Sequence, residues 1–193
     1  MKKILVTDIF GITPAINSLC KLINVSTIVD PYDAKEMDFN NEAEAYHFFI
    51  KHIGLDAYVE KLSTIVKECD SQVYLIGFSI GASAIWQLSD LRFDHLHTVK
   101  GAVCYYGSQI RHHTTVLPVF KVQIVFPKRE SHFDVNALKS KLTKKCKNNE
   151  NVLITQVDYL HGFMNKHSNH FDQVGFDNHV KQLKYLDSNN DIS

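Results

Sequence analysis

Residues 72–88 read QVYLIGFSIGASAIWQL, and this stretch decides the fold class. The apolar run over 72–78 is typical of a strand buried on both faces of a parallel sheet. Residues 82–88 have the composition of a buried helix. Between the two, Gly77, Ser79 and Gly81 form a Gly-x-Ser-x-Gly pattern, whose glycines allow a strand and a helix to cross closely. The pattern predicts a sharp turn with the Ser79 hydroxyl at its apex; the alternative is a glycine-rich connection that only reverses the chain.

The same alternation of strand and helix continues on either side of this stretch. Short apolar runs predict further strands over 3–9, 26–30, 101–106, 119–126 and 152–157. Helical spacing of apolar residues predicts helices over 15–23, 42–51, 55–69, 135–146 and 171–186. This order predicts a single α/β domain over 1–193, with a mainly parallel central sheet of about six strands, and a disordered tail over 187–193.

Composition excludes several classes of protein. The chain has 193 residues, of which 45% are hydrophobic and 22% charged, which is ordinary for a globular domain. The 21 basic and 21 acidic residues balance, whereas proteins that bind nucleic acid usually carry a basic excess. No apolar run approaches the roughly 20 residues that span a bilayer, and Asp8 ends the short apolar run near the N-terminus. We therefore expect a cytoplasmic protein without nucleic-acid or membrane partners.

The cysteines and histidines do not form a metal-binding motif. Cys20, Cys69, Cys104 and Cys146 are far apart in sequence, which predicts reduced and mostly buried thiols. The eleven histidines include no His-Glu-x-x-His pattern. We therefore expect no metal and no cofactor.

A serine nucleophile needs a base and an acid, and both have candidates after later strands. His161 follows the strand over 152–157, which is the placement expected of the base. Glu130 lies four residues beyond the strand that ends at residue 126, and Asp134 lies eight beyond it. We favour Glu130 as the acid, because Asp134 can instead cap the following helix. Three further histidines in loops remain alternatives to His161: His112, His113 and His132.

Four short stretches carry a resemblance to a known family. They are residues 7–14 (TDIFGITP), 77–81 (GFSIG), 105–107 (YYG) and 161–163 (HGF). Together they resemble the dienelactone hydrolase-like group of the α/β-hydrolases, and the likeness extends over about residues 3 to 180. The resemblance implies an α/β-hydrolase fold. The chain is shorter than is usual in that group, so we expect a small version of the fold without a large lid.

The resemblance also implies roles for individual residues. Ser79 corresponds to the nucleophile, His161 to the base and Glu130 to the acid. The backbone amides of Ile9 and Ile80 correspond to the oxyanion hole. Asp8 matches the acidic residue that the family places beside its nucleophile. Residues expected to bind substrate are Asp8, Phe10, Tyr105 and Phe163, with Tyr106 and Phe133 as further aromatic candidates.

The sequence departs from the family pattern at several positions. True dienelactone hydrolases use a cysteine where this chain has Ser79, and usually an aspartate where it has Glu130. Pro127 replaces the usual glycine after the penultimate strand. The arginines that bind a substrate carboxylate have no certain match, with Arg111 and Arg129 the nearest candidates. We therefore do not infer a dienelactone as the substrate.

These features predict a serine hydrolase that cleaves a small carboxylic ester or thioester through an acyl-serine intermediate. One alternative is a catalytically inactive binding protein with the same fold. Another is a thioesterase or acyltransferase, in which the acceptor need not be water. The small size is compatible with a homodimer, although no motif specifies one.

Overall fold

A single parallel sheet organises the computed structural model, which describes residues 1–90 and 96–186. Its strands are β1 Lys2–Val6, β2 Thr27–Val29, β3 Val73–Phe78, β4 Val99–Tyr105, β5 Lys121–Phe126 and β6 Val152–Gln156. They are ordered β2-β1-β3-β4-β5-β6, and every neighbouring pair is parallel. The α/β fold is therefore confirmed, and the described sheet is entirely rather than mainly parallel. The tail over 187–193, predicted to be disordered, lies outside the described residues.

In the described residues, six α-helices connect and cover the strands. They are α1 Pro14–Leu22, α2 Glu42–His52, α3 Leu55–Lys67, α4 Ile80–Leu88, α5 Val135–Lys145 and α6 Gln173–Tyr185. Two short 3-10 helices, Leu96–Thr98 and Ser108–His112, flank β4. None of the helices in the described part of the chain is both long and apolar enough to cross a membrane. Most predicted boundaries differ from the observed ones by one or two residues.

The helices form a layer on each face of the sheet. Successive side chains of a strand point to opposite faces, so Ile4 and Val6 join one apolar cluster while Leu5 joins the other. The first cluster contains residues of α2, α3, α4 and α5, and the second contains residues of α1 and α6. The chain thus forms three layers, with both faces of the central strands buried, as their continuous apolar runs predict.

The order of the strands places a crevice at the end of β1. The chain runs from β1 to β2 on one side and later returns to β3 on the other. Such a reversal opens a crevice at the carboxyl ends of the two central strands, where ligands usually bind in open α/β sheets. The prediction that the first strand extends to residue 9 is wrong. Pairing of β1 with its neighbours ends at Val6, and residues 8–11 turn away at this crevice.

The four cysteines are free thiols, as expected of a reduced protein. Cys20, Cys104 and Cys146 are buried, and Cys69 is partly buried. Burial raises the pKa of the Cys20 thiol to about 12, so at neutral pH it is an apolar core side chain rather than a nucleophile.

Gly81 is required by the contact between α4 and β1. A Cβ atom at this position would overlap the backbone carbonyls of Val6 and Thr7, which cannot move without disturbing β1. We expect Gly81→Ala to lower the free energy of unfolding by about 3 kcal/mol, at the upper end of overpacking effects. Urea denaturation measures the change.

A second glycine serves as the control for this prediction. Gly175→Ala in α6 would bring the new methyl group against the side-chain rings of Phe163 and Tyr159, at 2.9 and 3.0 Å. Side chains adjust more easily than backbone, so a smaller loss is expected. Equal stability of Gly81→Ala and the wild type would contradict the close approach of α4 to β1.

Candidate active site

Ser79 occupies a strained turn between β3 and α4. Its backbone angles are φ 50° and ψ −109°, a left-handed conformation that is uncommon for a residue with a side chain. The Ser79 amide donates to the Tyr105 carbonyl at 2.9 Å, which ties the turn to β4. A Cβ at Gly77 would lie 2.8 Å from the backbone of Ala82, so this position also needs glycine. Retained strain of this kind is found mainly at functional sites.

The side chains of Ser79, His161 and Glu130 form a continuous hydrogen-bonded chain. His161 Nε2 lies 3.1 Å from Ser79 Oγ, and His161 Nδ1 lies 2.7 Å from Glu130 Oε1. His161 belongs to the loop after β6, and Glu130 to the loop after β5. The Glu130 side chain is only 8% exposed, so water weakly screens its interaction with the imidazole. With a proton on Nδ1, Nε2 is free to accept the serine proton.

Asp134, the alternative acid, has a different role. It is the N-cap of α5, and its Oδ1 accepts hydrogen bonds from the amides of Asn136 and Ala137 at 2.8 and 3.2 Å. Among the alternative histidines, His132 lines the cleft above Ser79, while His113 bonds to Gln87 on α4. The structure therefore brings together the three residues that the sequence favours.

The backbone amides predicted to form an oxyanion hole belong to Ile9 and Ile80, two residues that line the cleft with Ser79. Ile80 is the first residue of α4, and Ile9 follows the end of β1, which α4 contacts through Gly81. Both residues line the same cleft as Ser79. Within residues 1–90 and 96–186, neither amide donates a hydrogen bond to another residue. Two free amides in the cleft of Ser79, one at a helix N-terminus, are suited to bind a developing negative charge.

The cleft above Ser79 is large, and its surface is more apolar than polar, although most of its lining residues have polar side chains. Its volume is about 1120 Å³. Residues of α2, the 3-10 helix Ser108–His112 and the loop after β5 form its walls. Arg111 and Arg129 are among them, with Arg111 lying 5.2 Å over the ring of Phe133. Sequence reasoning missed several wall residues, because no local motif marks them: Glu42, Tyr46, Gln109, Leu160 and His170.

Comparison with known proteins identifies the family. The model of the dienelactone hydrolase family matches residues 30–187, which is most of the chain. The chain belongs to the dienelactone hydrolase family. It is also 31% identical over 179 residues to the uncharacterized protein YczH of Bacillus subtilis strain 168, covering 90% of this chain and 85% of that protein.

Solved structures show the α/β-hydrolase fold of this family and its superfamily. The dienelactone hydrolase-like promiscuous phosphotriesterase P91 from metagenomic libraries superposes with a TM-score of 0.64 at 12% identity, over 97% of this chain and 86% of its own. A monoacylglycerol lipase of Paleococcus ferrophilus gives a TM-score of 0.63 at 10% identity, over 94% and 93%. At such identities the likeness concerns the fold alone.

Asp8, the acidic residue matched to the dienelactone hydrolase family, is buried close to Ser79. Its carboxylate accepts hydrogen bonds from the Asn165 side chain at 2.6 Å and from the Phe10 amide at 3.0 Å. Desolvation raises the pKa of the Asp8 carboxyl to about 6, although these two hydrogen bonds act in the opposite direction. Asp8 and Phe10 line a chamber of about 20 Å³ that Ser79 and His161 also border.

The buried carboxyl of Asp8 predicts a pH-dependent gain in stability for Asp8→Asn. In the unfolded chain this carboxyl ionises near its ordinary pKa of 3.8, but in the folded protein only near 6. As pH rises through this interval, the folded protein must ionise a buried group, so its stability falls by about 3 kcal/mol. Relative to the wild type, the variant should therefore gain about this amount between pH 4 and pH 7.

Urea denaturation at several pH values tests this prediction. Asp33→Asn is the matched control, because Asp33 is exposed and a hydrogen bond from Lys61 lowers its pKa. The control should not gain stability as pH rises. A constant difference between Asp8→Asn and the wild type from pH 4 to pH 7 would contradict the raised pKa.

Two of the aromatic residues predicted to bind substrate do not face the cleft. Tyr105 and Phe163 are 1% and 0% exposed and pack in the apolar cluster beneath α1 and α6. The Tyr105 hydroxyl instead lies 3.2 Å from Nδ1 of His179 in α6. The prediction is corrected for both. For Tyr105, the alternation of side-chain direction along β4 could have predicted this burial. It places Tyr105 on the same face of the sheet as Val103, away from α4.

Tyr106, one residue further along, lies beside the imidazole. Its ring centroid is 4.9 Å from that of His161, and it borders the small chamber with Asp8. Its backbone has φ 42°, so the alternation of side chains between the two faces of the sheet ends at Tyr106. Phe133, the other aromatic candidate, lines the large cleft.

The described residues include no group of three His, Cys, Asp or Glu side chains arranged to hold a metal ion.

Proposed function

We propose that this protein is a serine hydrolase that cleaves a small carboxylic ester or thioester through an acyl-Ser79 intermediate. The observation that carries the proposal is the chain from Ser79 Oγ to His161 Nε2 and from His161 Nδ1 to Glu130 Oε1, at 3.1 and 2.7 Å. Distances of this length allow direct proton transfer from the hydroxyl to the imidazole. Membership in a hydrolase family supports the same reaction class.

The reaction begins with attack of Ser79 Oγ on the substrate carbonyl. His161 Nε2 accepts the hydroxyl proton, and Glu130 stabilises the imidazolium that results. The carbonyl oxygen becomes an oxyanion that receives hydrogen bonds from the amides of Ile9 and Ile80. The tetrahedral intermediate then expels the alcohol or thiol, which takes the proton from His161. The acyl group remains on Ser79.

A water molecule completes the cycle. His161 removes a proton from the water, whose oxygen attacks the acyl carbon. The second tetrahedral intermediate releases the carboxylic acid, and Ser79 Oγ recovers its proton from His161. Apart from the substrate and this water, these steps use only side chains and backbone of this chain. The cleft is open to solvent, which favours water as the acceptor.

The assembled hydrogen-bonded chain argues against the alternative of an inactive binding protein. Such a protein would have no need to keep the Ser79 hydroxyl within hydrogen-bond reach of His161. It would also have no need for the strained backbone of Ser79, which costs about 1–3 kcal/mol of stability.

Covalent labelling tests the proposal. We expect a fluorophosphonate probe to react with the folded protein and mass spectrometry to locate the adduct on Ser79. His161→Ala should abolish labelling, because the hydroxyl then has no base. Ser108→Ala is the matched control, since Ser108 also lines the cleft, and it should label normally. A folded wild-type protein without an adduct on Ser79 would refute the proposal.

Substrate class is then measured directly. Initial rates with p-nitrophenyl acetate, longer p-nitrophenyl esters and matched thioesters should show activity that falls as the acyl chain lengthens. Preference for a long acyl chain would contradict the proposal of a small ester or thioester substrate.

A further inference from the structure

A tight turn over residues 8–11 sets the direction of the Ile9 amide. The Asp8 carbonyl accepts hydrogen bonds from the Gly11 amide and the Thr7 hydroxyl, both at 3.2 Å. This carbonyl and the Ile9 N–H belong to one trans peptide, in which the two bonds point in opposite directions. Holding the carbonyl toward the interior of the turn therefore directs the Ile9 N–H outward. Ile9 borders the cleft beside Ser79.

Tyr32 fixes the Ile9 carbonyl of this turn. Its hydroxyl donates to the Ile9 carbonyl at 2.7 Å, and the side chain is buried. Its ring covers Gly11, where a Cβ would lie only 2.8 Å from a ring carbon. Tyr32 is itself held by Asp30, whose carboxylate accepts from the Tyr32 amide at 2.8 Å. The tyrosine thus connects the loop after β2 to the turn after β1.

Asn165 fixes the Asp8 side chain at the start of the turn and connects the turn to the loop that contains His161. Its side-chain amide donates to Asp8 Oδ2 at 2.6 Å, and its backbone amide donates to the Gly162 carbonyl at 2.8 Å. Its side-chain oxygen accepts from the His167 amide, also at 2.8 Å. The side chain is buried, so these polar groups are satisfied within the protein. Asn165 lies four residues after His161, so one side chain joins the Ile9 turn to the loop of the base.

We propose that Tyr32 and Asn165 are positioning residues that set the Ile9 amide at the distance and angle needed to bind the oxyanion. Neither acts on the substrate, and both act through the backbone of the turn over 8–11. The inference rests on the proposed hydrolase function. It explains why two buried polar side chains from distant segments meet at one turn, a juxtaposition that the hydrolase motifs alone do not require.

Tyr32→Phe tests the first residue by removing one hydroxyl and keeping the ring over Gly11. We expect kcat for p-nitrophenyl acetate to fall about 10-fold with little change in KM, because the amide binds the transition state more strongly than the ester. The inhibition constant of a trifluoromethyl ketone should weaken by the same factor, since adding Ser79 Oγ to this ketone forms a hemiketal oxyanion.

Ser89→Ala provides the matched control for Tyr32→Phe. Ser89 is buried at the opposite end of α4 from Ser79, and its hydroxyl donates to the Trp86 carbonyl at 2.6 Å. The control removes an equivalent buried hydrogen bond, so it should lower stability without changing kcat or the inhibition constant. Unchanged kcat and inhibition constant in a folded Tyr32→Phe would overturn the role of Tyr32.

Exchanging the side chains of Asp8 and Asn165 tests the role of Asn165 with two single variants and their combination. Asn165→Asp places two carboxyl groups in contact, and Asp8→Asn places two side-chain amides in contact. Each single variant therefore loses the matched donor and acceptor, and its kcat should fall about 10-fold or more. The double variant reverses donor and acceptor while keeping acceptors for the amides of Phe10 and His167. It should recover to within about 3-fold of the wild type. Additive losses in the double variant would overturn the role of Asn165.

The outcomes separate this inference from the proposed function. A wild-type protein that neither labels nor hydrolyses esters refutes the proposed function and this inference together. An active wild type whose Tyr32 and Asn165 variants keep full activity refutes the inference alone.

Discussion

Replacing Ser79 with alanine is expected to lower kcat/KM for p-nitrophenyl acetate by at least about 10⁴-fold. The variant lacks the atom that forms the acyl bond, and the imidazole of His161, 3.1 Å away in the wild type, then has no hydroxyl to activate. Residual activity would reflect only hydrogen bonding by the amides of Ile9 and Ile80 and general binding. Steady-state kinetics over a range of enzyme concentrations measures the loss.

Stability measurements distinguish loss of chemistry from loss of fold. Alanine keeps the same backbone conformation, so Ser79→Ala should unfold at nearly the urea concentration of the wild type. Ser79→Gly should be equally inactive but about 1 kcal/mol more stable, because glycine adopts a φ of 50° without strain. Substantial activity in either variant would show that the nucleophile lies elsewhere.

Glu130→Gln is expected to lower kcat by about 10²- to 10⁴-fold, the second largest effect. The amide keeps the size of the carboxylate but not its charge, so it no longer stabilises the imidazolium. It can also turn its NH₂ group toward Nδ1 and thereby favour the wrong tautomer. Because Glu130 is mostly buried and 2.7 Å from Nδ1, its charge acts on the imidazole with little screening by water. Steady-state kinetics with the same ester measures kcat and KM separately.

Asp134→Ala is the matched control for Glu130. It removes the other candidate carboxylate in the same loop, whose Oδ1 caps α5. We expect it to lower the free energy of unfolding by about 1 kcal/mol and to leave kcat unchanged. The reverse result, with an active Glu130→Gln and an inactive Asp134→Ala, would assign the acid to Asp134.

Much of the fold follows from local patterns. Continuous apolar runs identify buried parallel strands, and each of the six predicted strands occurs in the sheet. Helix ends follow from capping chemistry, as at Thr13, whose hydroxyl accepts from the Ile16 amide. Boundaries are less well determined, because the end of a strand depends on where its neighbour stops pairing. The prediction for the first strand extends past Val6 for this reason.

The central residues of the site were also predictable. A serine in a Gly-x-Ser-x-Gly turn, an acid after the next-to-last strand and a histidine after the last all lie at carboxyl ends of parallel strands. Such ends meet at one edge of a sheet, so sequence order alone implies that the loops of Ser79, Glu130 and His161 converge. The choice of Glu130 over Asp134 followed from recognising a helix cap.

The chain's own sequence therefore determined its α/β class, its order of elements and the residues that meet at its central crevice, because periodicity, capping and glycine requirements are local. Only the tertiary structure decided that Tyr105 and Phe163 belong to the core, that Glu42 and Tyr46 border the cleft, and that Tyr32 and Asn165 meet the turn at Ile9. These contacts join segments distant in the chain. Their geometry depends on the path of loops over the sheet, which packing of the whole domain sets and no local pattern encodes.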